Sequence, residues 1–416
     1  MQKKVAVVGG GIIGLSSAYY LQKAGHEVIL IDKGPMNKGA SYVNAGYLTP
    51  SHIVPLAAPG MITKGLKWMF DSSSPFYIQP RLNLNLMNWG IKFMRSCTQK
   101  HVQRSMPIIR DINLLSKELF HELNELPTMD FQLEDFGLLM AFQTAAAEKE
   151  ESEVVREAKQ LGLSVELIDR KQIAKLQPDI EMNVAGAYHY RCDAHSTPGL
   201  LMEQLKQYLQ TQGVCLLKET SIEQFECNGR QIRQLKTTKG NFVVDEVVVA
   251  AGVWSQDLLR MLNIRLPIQA GKGYRLNEYL PTGITRPAIL MERKVAVTPM
   301  RGFTRFSGTM EIGGIHHAIN PKRVASIATA VSEYYPSLDV SPRAIEEVQC
   351  GLRPLSPDGL PFIGRHSKYN NLSIATGHAM MGWSLGPATG KLISELISGQ
   401  KTSLDLRPYA VQRSYG

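Results

Sequence analysis

A Gly-x-Gly-x-x-Gly pattern lies close to the amino terminus of the chain. Gly9 permits a tight turn, Gly11 leaves room for the backbone to approach a phosphate group, and Gly14 allows a helix to pack closely on a strand. The apolar run 4–8 predicts a strand before the turn, and the segment 15–24 predicts a helix after it. The N-terminus of such a helix offers unpaired N–H groups to an anion.

An acidic residue follows the turn at the spacing that a ribose contact requires. Gly25 predicts the end of the helix, and the apolar run 28–31 predicts a second strand. Asp32 stands at the end of that strand, 18 residues after Gly14, where its carboxylate can accept hydrogen bonds from a ribose. Together these features predict a βαβ unit that binds a dinucleotide. The cofactor contacts predicted within it are Gly9, Gly11, Ile12, Ile13, Gly14, Asp32 and Lys33.

Other features favour FAD over NAD, which the fingerprint alone cannot separate because both carry the same ADP half. No second fingerprint is present, although a flavoprotein reduced by bound NAD(P)H would usually need one. The apolar run 247–252 predicts a strand that ends in small residues beside the cofactor. The segment 39–46 is rich in small and hydrogen-bonding residues, which are typical of backbone that passes beneath an isoalloxazine ring. The alternative is that this segment forms an ordinary surface turn. The further cofactor contacts predicted here are Ser41, Asn44, Ala45, Gly46, Ala251 and Gly252.

Length, charge and cysteine content limit the class of protein. A chain of 416 residues suggests two domains, or three. The net charge of +9 is a mild excess without a dense basic stripe, so nucleic-acid binding is not expected, while contact with an anionic membrane surface stays open. Five widely spaced cysteines without a Cys-x-x-Cys pair argue against a disulfide framework or a metal site. We expect a cytoplasmic protein, because neither a transmembrane run nor a convincing signal peptide is present.

Several further motifs occur in one order along nearly the whole chain. They are Ser41-Tyr42-Val43-Asn44-Ala45-Gly46, Ala58-Pro59-Gly60, Lys67-Trp68-Met69-Phe70, Lys272-Gly273-Tyr274, the run from Gly351 to Gly359, Thr376-Gly377-His378 and Gly382-Trp383. With these motifs the chain resembles the D-amino-acid oxidase superfamily of flavoenzymes, and most closely the bacterial D-amino-acid dehydrogenase small-subunit type. The resemblance implies FAD as the cofactor and a small amino acid as the substrate.

The resemblance also implies an α/β fold, α+β overall, with two domains that are discontinuous in sequence. A Rossmann-like FAD-binding domain would comprise residues 1–85, 192–265 and 350–416. A substrate domain with a mostly antiparallel sheet would comprise residues 86–191 and 266–349. This sheet would lie over the flavin. The local sequence also predicts helices at 198–212 and 386–398 and strands at 242–250 and 295–314.

Three residues are predicted to act on the substrate. A planar guanidinium can bind a substrate carboxylate through two parallel hydrogen bonds, and the resemblance assigns this role to Arg353 in its Gly-Leu-Arg-Pro motif. Tyr274 is predicted to add a phenol to the carboxylate site, with a packed core tyrosine as the alternative. His378 is predicted to approach the flavin pyrimidine or the substrate, with a structural histidine as the alternative. Gly382, in the same loop, is predicted to contact the cofactor.

Two features concern cofactor attachment and substrate choice. In the covalent branch of the superfamily, a cysteine occupies what corresponds to Gly351 here, whereas Cys350 lies one residue away. Noncovalent FAD is therefore expected. His52 and Thr49 depart from the dehydrogenase pattern and are candidates for tuning substrate choice, with a surface loop as the alternative.

The leading hypothesis for the reaction is oxidative deamination of a D-amino acid. The Cα hydrogen would leave as a hydride to flavin N5, and the imino acid would hydrolyse to a 2-oxo acid and ammonia. D-Proline or a hydroxy-D-proline is an alternative substrate that would give a pyrroline carboxylate. The alternatives in function are an oxygen-using glycine, sarcosine or D-amino-acid oxidase, a flavin electron-relay subunit of a larger dehydrogenase, and a nonenzymatic nucleotide-binding regulator.

No motif identifies the electron acceptor, and the resemblance favours a quinone or a carrier protein over oxygen. The segment 55–100 contains two sets of apolar residues at helical spacing, Ile62, Leu66 and Met69, and Leu86, Trp89 and Phe93. With basic residues between them, such helices could contact the inner face of the cell membrane as a peripheral protein does. Packing on the domain below is the alternative. A homo-oligomer is compatible with the sequence.

Overall fold

In the described residues, the strands assemble into two large sheets and two small ones. The computed structural model describes residues 1–61, 76–79, 81 and 83–415. The strands are β1 (Lys4–Val8), β2 (Glu27–Ile31), β3 (Tyr47–Leu48), β4 (Phe76–Ile78), β5 (Leu138–Phe142), β6 (Val165–Asp169), β7 (Gly186–Tyr190), β8 (Ala194–His195), β9 (Cys215–Leu217), β10 (Ile222–Asn228), β11 (Gln231–Thr237), β12 (Gly240–Val243), β13 (Glu246–Val249), β14 (Gln269–Glu278), β15 (Ala288–Leu290), β16 (Val295–Met300), β17 (Phe303–Ile312), β18 (Gln349–Leu355), β19 (Phe362–Arg365) and β20 (Leu372–Thr376). The α-helices are α1 (Ile12–Lys23), α2 (Leu84–Ser96), α3 (Gln99–Asn124), α4 (Ala145–Gln160), α5 (Arg170–Leu176), α6 (Pro198–Thr211), α7 (Ser255–Met261), α8 (Pro321–Tyr334), α9 (Pro342–Glu346) and α10 (Gly386–Ser398).

Two sequence predictions fall on residues that the structure does not describe. They are the motif Lys67-Trp68-Met69-Phe70 and the helical face formed by Ile62, Leu66 and Met69. Both lie outside the described residues.

The first large sheet is built around β1, in the order β19-β20-β13-β1-β2-β9. β1 pairs in parallel with β13 and β2, and β19 is an antiparallel edge strand. Helices α1, α6 and α10 cover one face, and the small sheet β10-β11-β12 covers the other. A strand covered on both faces needs apolar residues throughout, which explains the continuous apolar run of β1. The predicted βαβ unit is confirmed.

Helices α1 and α10 pack closely because glycines remove side chains from their contact. A methyl group built on Gly390 would lie 2.4 Å from the carbonyl carbon of Ser16. One built on Gly386 would lie 2.6 Å from Cγ1 of Ile12, the first residue of α1. The carboxy-terminal helix is thereby held beside the start of the nucleotide-binding unit.

Gly390→Ala is expected to lower the free energy of unfolding by about 1–3 kcal/mol, because an added methyl in a packed contact forces its neighbours to shift. Gly90→Ala is the matched control, since Gly90 is also inside a helix but a methyl there would meet no atom of the described residues within 4 Å. The control should gain about 0.5–1 kcal/mol from helix propensity. Thermal unfolding measures both variants. Equal Tm values for Gly390→Ala and the wild type would contradict the close contact.

The second large sheet has the order β18-β14-β17-β16-β15-β5-β7-β6, and β4 pairs with β17. Most of its pairs are antiparallel, but β15 with β5 and β17 with β4 are parallel. Helix α8 packs on one face, where a methyl on Gly308 would lie 3.1 Å from Cγ1 of Ile327. The other face is turned toward the segment that follows β2. This mixture of a parallel nucleotide-binding sheet and a mostly antiparallel second sheet confirms the predicted fold class.

Three segments lie differently from the predicted domain division. The boundary predicted at residue 350 falls inside β18, which pairs with β14 along its length. β4, within the predicted FAD-binding residues 1–85, pairs with β17 of the second sheet. α3, within the predicted substrate residues 86–191, adds Ile112 and Phe120 to the apolar cluster of α1 and α10. We therefore propose that β4 and β18 belong to the substrate domain and α3 to the FAD-binding domain.

Candidate active site

The turn between β1 and α1 requires glycine at two of its predicted positions. Gly9 has a φ of +119°, and a methyl on it would lie 2.5 Å from the carbonyl oxygen of Ala250. A methyl on Gly14 would lie 1.8 Å from the carbonyl oxygen of Gly9. Ala251 lies beside the same turn, since a methyl built on Gly9 would be 2.9 Å from the Cα atom of Ala251. The turn is therefore pressed between α1 and the end of β13, and α1 begins directly after Gly11.

Asp32 holds this turn through both of its carboxylate oxygens. Oδ2 accepts a hydrogen bond from the N–H of Gly10 at 2.6 Å, and Oδ1 accepts one from the N–H of Gly34 at 2.7 Å. Each carboxylate oxygen can accept a further bond, which leaves capacity for ribose hydroxyls. Asp32 thus connects the end of β2 with the turn between β1 and α1.

Asp32→Asn is expected to weaken FAD binding about 10- to 100-fold, because the new amide NH₂ replaces an acceptor and would face a backbone N–H. A loss of about 1.4–2.8 kcal/mol is typical for hydrogen bonds to charged groups. Titration of apoprotein with FAD, followed by flavin fluorescence, measures the Kd. Asp257→Asn is the control, since Asp257 is a half-exposed partner of Arg260. An FAD Kd that is the same for Asp32→Asn as for the wild type would exclude the ribose contact.

The segment 41–46 leads from this turn toward the second sheet. The hydroxyl of Ser41 accepts a hydrogen bond from the N–H of Ile12 at 3.0 Å, and Ile13 follows in the first turn of α1. Gly46 has a φ of +80°, and a methyl on it would lie 2.2 Å from the carbonyl oxygen of Ser196. Both ends of the segment are therefore tightly placed.

Two side chains of the second sheet hold the same segment by its carbonyl oxygens. Arg305 donates to the carbonyl oxygens of Tyr42 and Asn44, and Thr298 donates to that of Ala45 at 2.8 Å. Burial lowers the pKa of the Arg305 guanidinium to about 9. The sequence carries no signal for these contacts, because Arg305 lies 261 positions from Asn44 in the chain.

Three predicted cofactor residues lie around the edges of this region. The Nζ atom of Lys33 lies 4.0 Å from the centre of the Trp254 ring, and burial lowers the pKa of its ammonium group. Gly252, which follows β13 after Ala250 and Ala251, has a φ of +55°. Gly382 lies beside His378 in the loop before α10, since a methyl on it would be 3.4 Å from Cβ of His378.

Arg353 lies on the face of the second sheet that meets the segment 41–46. Its cross-strand partner is Gly271, and its guanidinium covers Gly273, where a methyl would lie 2.3–2.4 Å from Nη1, Nη2 and Cζ. A methyl on Gly351, two residues earlier in the strand, would lie 2.3 Å from Cγ2 of Val43. Residues two apart in a strand share a face. The guanidinium is therefore close to the backbone predicted to lie beneath the flavin.

The guanidinium of Arg353 has no carboxylate partner among the described residues. Its Nη1 donates to the carbonyl oxygen of Thr309 at 2.8 Å and lies 3.8 Å from Sδ of Met310. Burial lowers its pKa to about 10, so the group stays charged at neutral pH. A charged guanidinium that lacks an anion is well suited to bind a carboxylate.

Thr309 places the carbonyl group that Arg353 uses. It has a φ of +66°, where β17 shifts register against β14. Such a bulge changes the direction of backbone groups, and threonine rarely adopts a positive φ. No residue-type pattern in the sequence points to this position.

Tyr274 lies on the opposite face of β14 from Arg353. Its buried phenol donates to Oε2 of Glu311 at 3.1 Å, and the Nζ atom of Lys272 lies 3.2 Å from Oε1 of the same carboxylate. Burial and the Glu311 carboxylate raise the pKa of Tyr274. Because successive strand residues point to opposite faces, Tyr274 and Lys272 share one face and Gly273 lies on the other. The structure does not bring Tyr274 and Arg353 together, and it places Tyr274 as a packed core residue.

His378 is buried between β20 and α10. Its Nε2 lies 2.9 Å from Oγ1 of Thr389, in α10, and burial lowers its pKa to about 3. The imidazole is therefore neutral at physiological pH and directed toward α10. None of its described hydrogen bonds reaches Arg353.

Thr49 and His52 follow β3. The N–H of Thr49, which is buried, donates to the hydroxyl of Ser384 at 3.2 Å. His52 is half-buried, burial lowers its pKa to about 4, and its Nδ1 has no hydrogen-bond partner in the described part of the chain. A role for His52 in substrate choice stays a prediction.

The residues around the turn fit an FAD molecule. Gly9 and Gly14 keep the turn free of side chains, and the first N–H groups of α1 would face the pyrophosphate. Asp32 would accept hydrogen bonds from the ribose, and the segment 41–46 would support the ring. In the described ranges, no group of three His, Cys, Asp or Glu side chains could hold a metal ion.

Comparison with known proteins agrees with this arrangement. The chain is 32% identical over 411 residues to the D-amino acid dehydrogenase of Neisseria meningitidis serogroup C / serotype 2a, and the alignment covers 96% of this chain and 97% of that protein. It is 28% identical to the D-amino acid dehydrogenase of Granulibacter bethesdensis, with coverage of 99% and 100%.

Solved structures of related enzymes share the fold. The glycine oxidase from Geobacillus kaustophilus matches with a TM-score of 0.78 at 23% identity, over 100% of both chains. The L-proline dehydrogenase from P. horikoshii matches with a TM-score of 0.75 at 19% identity, over 99% of this chain and 97% of that one. The family model described as DAO, FAD dependent oxidoreductase, matches residues 4–396. The chain therefore belongs to the DAO family of FAD-dependent oxidoreductases, and it is an enzyme that uses FAD.

Proposed function

We propose that the protein catalyses the FAD-dependent oxidative deamination of D-amino acids. The product would be an imino acid, which water converts to a 2-oxo acid and ammonia. The observation that carries this proposal is Arg353, a charged guanidinium that has no carboxylate partner in the part of the chain that the structure describes and that lies on the sheet face that meets the segment 41–46. The choice of the D-enantiomer is supported by the relatives named D-amino acid dehydrogenase.

The chain itself has mainly to hold the substrate. FAD, when bound, supplies the oxidation by accepting a hydride from the substrate Cα at N5. Arg353 would bind the carboxylate through two parallel hydrogen bonds, and the carbonyl oxygen of Thr309 would keep the guanidinium in place. Of the three predicted catalytic residues, we propose only Arg353 as a direct substrate contact, since Tyr274 and His378 are directed elsewhere.

The surroundings of Arg353 favour an apolar substrate side chain. Met310 and Leu355 belong to one apolar cluster, and both would meet a methyl built on Gly271, the cross-strand partner of Arg353. An acidic side chain would be poorly solvated there. D-Proline, a hydroxy-D-proline and small apolar D-amino acids are therefore expected to react faster than D-aspartate or D-glutamate.

Two further proposals concern the cofactor and the acceptor. FAD would be bound noncovalently, because Cys350 shares the face of Tyr274 and not that of Arg353, and its thiol contacts the carbonyl oxygen of His317. The electrons removed from the substrate would pass to a quinone or a carrier protein rather than to oxygen, as the word dehydrogenase in the names of the relatives suggests. Among the described helices, none combines the length and the apolar character that a membrane span requires. The homo-oligomeric state stays a prediction.

Anaerobic addition of D- and L-amino acids, including proline and hydroxyproline, to the FAD-loaded protein tests the proposal. Reduction is followed as bleaching of the flavin absorbance at about 450 nm. Bleaching by D-amino acids alone is expected, with apolar members fastest. No bleaching by any of them would sink the proposal and favour an electron-relay subunit. Admission of air then separates a dehydrogenase from an oxidase, since only an oxidase would form hydrogen peroxide rapidly.

A further inference from the structure

Arg353 shares its sheet face with two further arginines, Arg275 and Arg305. Side chains two residues apart in β14 point to one face, so Arg275 lies on the face of Gly273, which the Arg353 guanidinium covers. Asn277 follows on the same face and is the cross-strand partner of Arg305 in β17. Directly opposite residues of paired strands share a face. This face therefore carries three guanidiniums, and we call Arg275 and Arg305 the inner arginines.

Arg305 is almost fully buried, with 4% of its surface exposed, and it contacts the backbone of the segment 41–46 directly. Nη1 donates to the carbonyl oxygen of Tyr42 at 3.0 Å and to that of Asn44. Nε donates to the side-chain amide oxygen of its cross-strand partner at 3.0 Å. Burial lowers the pKa of the Arg305 guanidinium most, and the charge of Arg275 lowers it further. The two positive charges are therefore close enough to repel each other.

Among the described residues, no carboxylate forms an ion pair with either inner arginine. Burial lowers the pKa of the Arg275 guanidinium, while Tyr279 and Glu347 raise it. Glu347 is exposed and forms its own ion pair with Arg343. Nε of Arg275 is buried and has no hydrogen-bond partner in the described part of the chain. The acidic residues that the structure describes therefore leave the positive charge of this face without a close counter-ion.

Holding the segment 41–46 does not by itself require a charge at Arg305. A neutral amide side chain can also donate to carbonyl oxygens, and burial of a charge without an opposite charge is unfavourable. An anion that forms beside the segment would offset this cost. The flavin ring, which we propose lies there, becomes such an anion. A hydride from the substrate Cα brings two electrons and one proton, so the ring gains one negative charge unless a second proton follows.

We propose that the inner arginines make the bound flavin a stronger oxidant by stabilising the negative charge that the ring gains on reduction. Charge near the ring nitrogens is one of the means by which a protein tunes a flavin. Buried charges act strongly, because the protein interior and its surroundings screen them little. Arg353 would bind the substrate carboxylate, and the inner arginines would act on the group that accepts the hydride. This inference rests on the proposed function only for the position of the ring over the segment 41–46.

The reduction potential of the FAD-loaded protein, measured by anaerobic equilibration with a reference dye, tests the proposal. Arg305→Gln keeps hydrogen-bond donors but loses the charge. It should lower the equilibrium constant for two-electron reduction at least about tenfold, which makes the potential about 30 mV more negative. Arg305→Lys keeps the charge and should stay within about threefold of the wild type. Arg301→Gln is the matched control and should leave the potential unchanged, since Arg301 forms a half-exposed ion pair with Asp130.

A second pair of variants tests the charge without removing an arginine. Ser307 is buried and is the cross-strand partner of Arg275, so Ser307→Asp places a carboxylate beside the inner arginines. This variant should lower the equilibrium constant for reduction at least about threefold. Ser307→Asn, which adds a neutral side chain of nearly the same size, should leave the potential unchanged.

The outcomes separate charge from packing. Equal potentials for Arg305→Gln and the wild type, equal shifts in Arg305→Gln and Arg305→Lys, or equal shifts in both Ser307 variants would each overturn the proposal. If Arg305→Gln is purified without FAD, the two Ser307 variants decide by themselves. Because the potential is measured without an amino acid, failure of this inference is distinguishable from failure of the D-amino-acid reaction.

Discussion

Arg353→Met is expected to lower kcat/KM for amino-acid substrates about 30- to 4,000-fold while FAD stays bound. Removing one partner of a buried, hydrogen-bonded charge pair costs about 2–5 kcal/mol, and about 1.4 kcal/mol corresponds to a factor of ten. Methionine keeps much of the length of arginine but offers neither a charge nor a donor. The substrate carboxylate would then enter without a partner. Steady-state kinetics with a soluble dye as acceptor measure the change.

Matched variants show whether the loss of activity in Arg353→Met comes from the lost contact with the substrate carboxylate. Arg353→Lys should lose less activity, since lysine keeps the charge but not the planar pair of donors. Arg301→Met is the control, because Arg301 forms a half-exposed ion pair with Asp130. An amine substrate without a carboxylate should react equally with the wild type and Arg353→Met. If Arg353→Met had the same kcat/KM for amino acids as the wild type, the substrate carboxylate would be bound elsewhere.

Gly14→Ala is expected to weaken FAD binding about 100-fold and to yield protein that is purified without flavin. The new methyl would lie 1.8 Å from the carbonyl oxygen of Gly9, which is backbone and cannot rotate away as a side chain does. Either the turn or α1 must move, and the N–H groups that we propose for binding the pyrophosphate would move with it. The ratio of absorbance at about 450 nm to protein absorbance reports the bound flavin.

Two other glycine variants separate loss of flavin from loss of folding. Gly199→Ala is the control, since a methyl on Gly199 would lie within 4 Å of no atom in the ranges that the structure describes. Gly11→Ala should fold normally, because the one described atom that its methyl would approach is the Ser41 hydroxyl oxygen, at 3.3 Å. It should nevertheless bind FAD more weakly, since we propose that the backbone at Gly11 approaches the pyrophosphate. A Gly14→Ala protein with stoichiometric FAD would contradict the packing of this turn.

Local patterns predicted several elements closely. The helices expected at 198–212 and 386–398 are Pro198–Thr211 and Gly386–Ser398 in the structure. Their apolar periodicity and the prolines near their starts are local signals. The segment 295–314, predicted as strand, forms β16 and β17, which pair with each other across a turn at 301–302. Alternating residues indicate a strand, but they do not show how it pairs.

Contacts between distant segments were the part that could not be predicted. Arg305 supports the backbone of Asn44, and no local pattern distinguishes it from any other strand arginine. Tyr274 is adjacent in sequence to Gly273, over which Arg353 lies, yet it points to the opposite face. Because neighbouring side chains in a strand point to opposite faces of the sheet, one motif can contain both a site residue and a core residue.

The sequence by itself determined the βαβ unit at the start of this protein. Gly14, helix α1 and Asp32 depend on steric and hydrogen-bonding requirements that about 30 consecutive residues satisfy among themselves, whereas Gly9 also meets the distant Ala250. Only the tertiary structure decided which side chains share the sheet face of Arg353 and which face the core. That choice depends on strand register, on the bulge at Thr309 and on α2 lying over Met310 and Leu355. These are pairings between segments far apart in the chain, and their energy exists only when the segments are packed together.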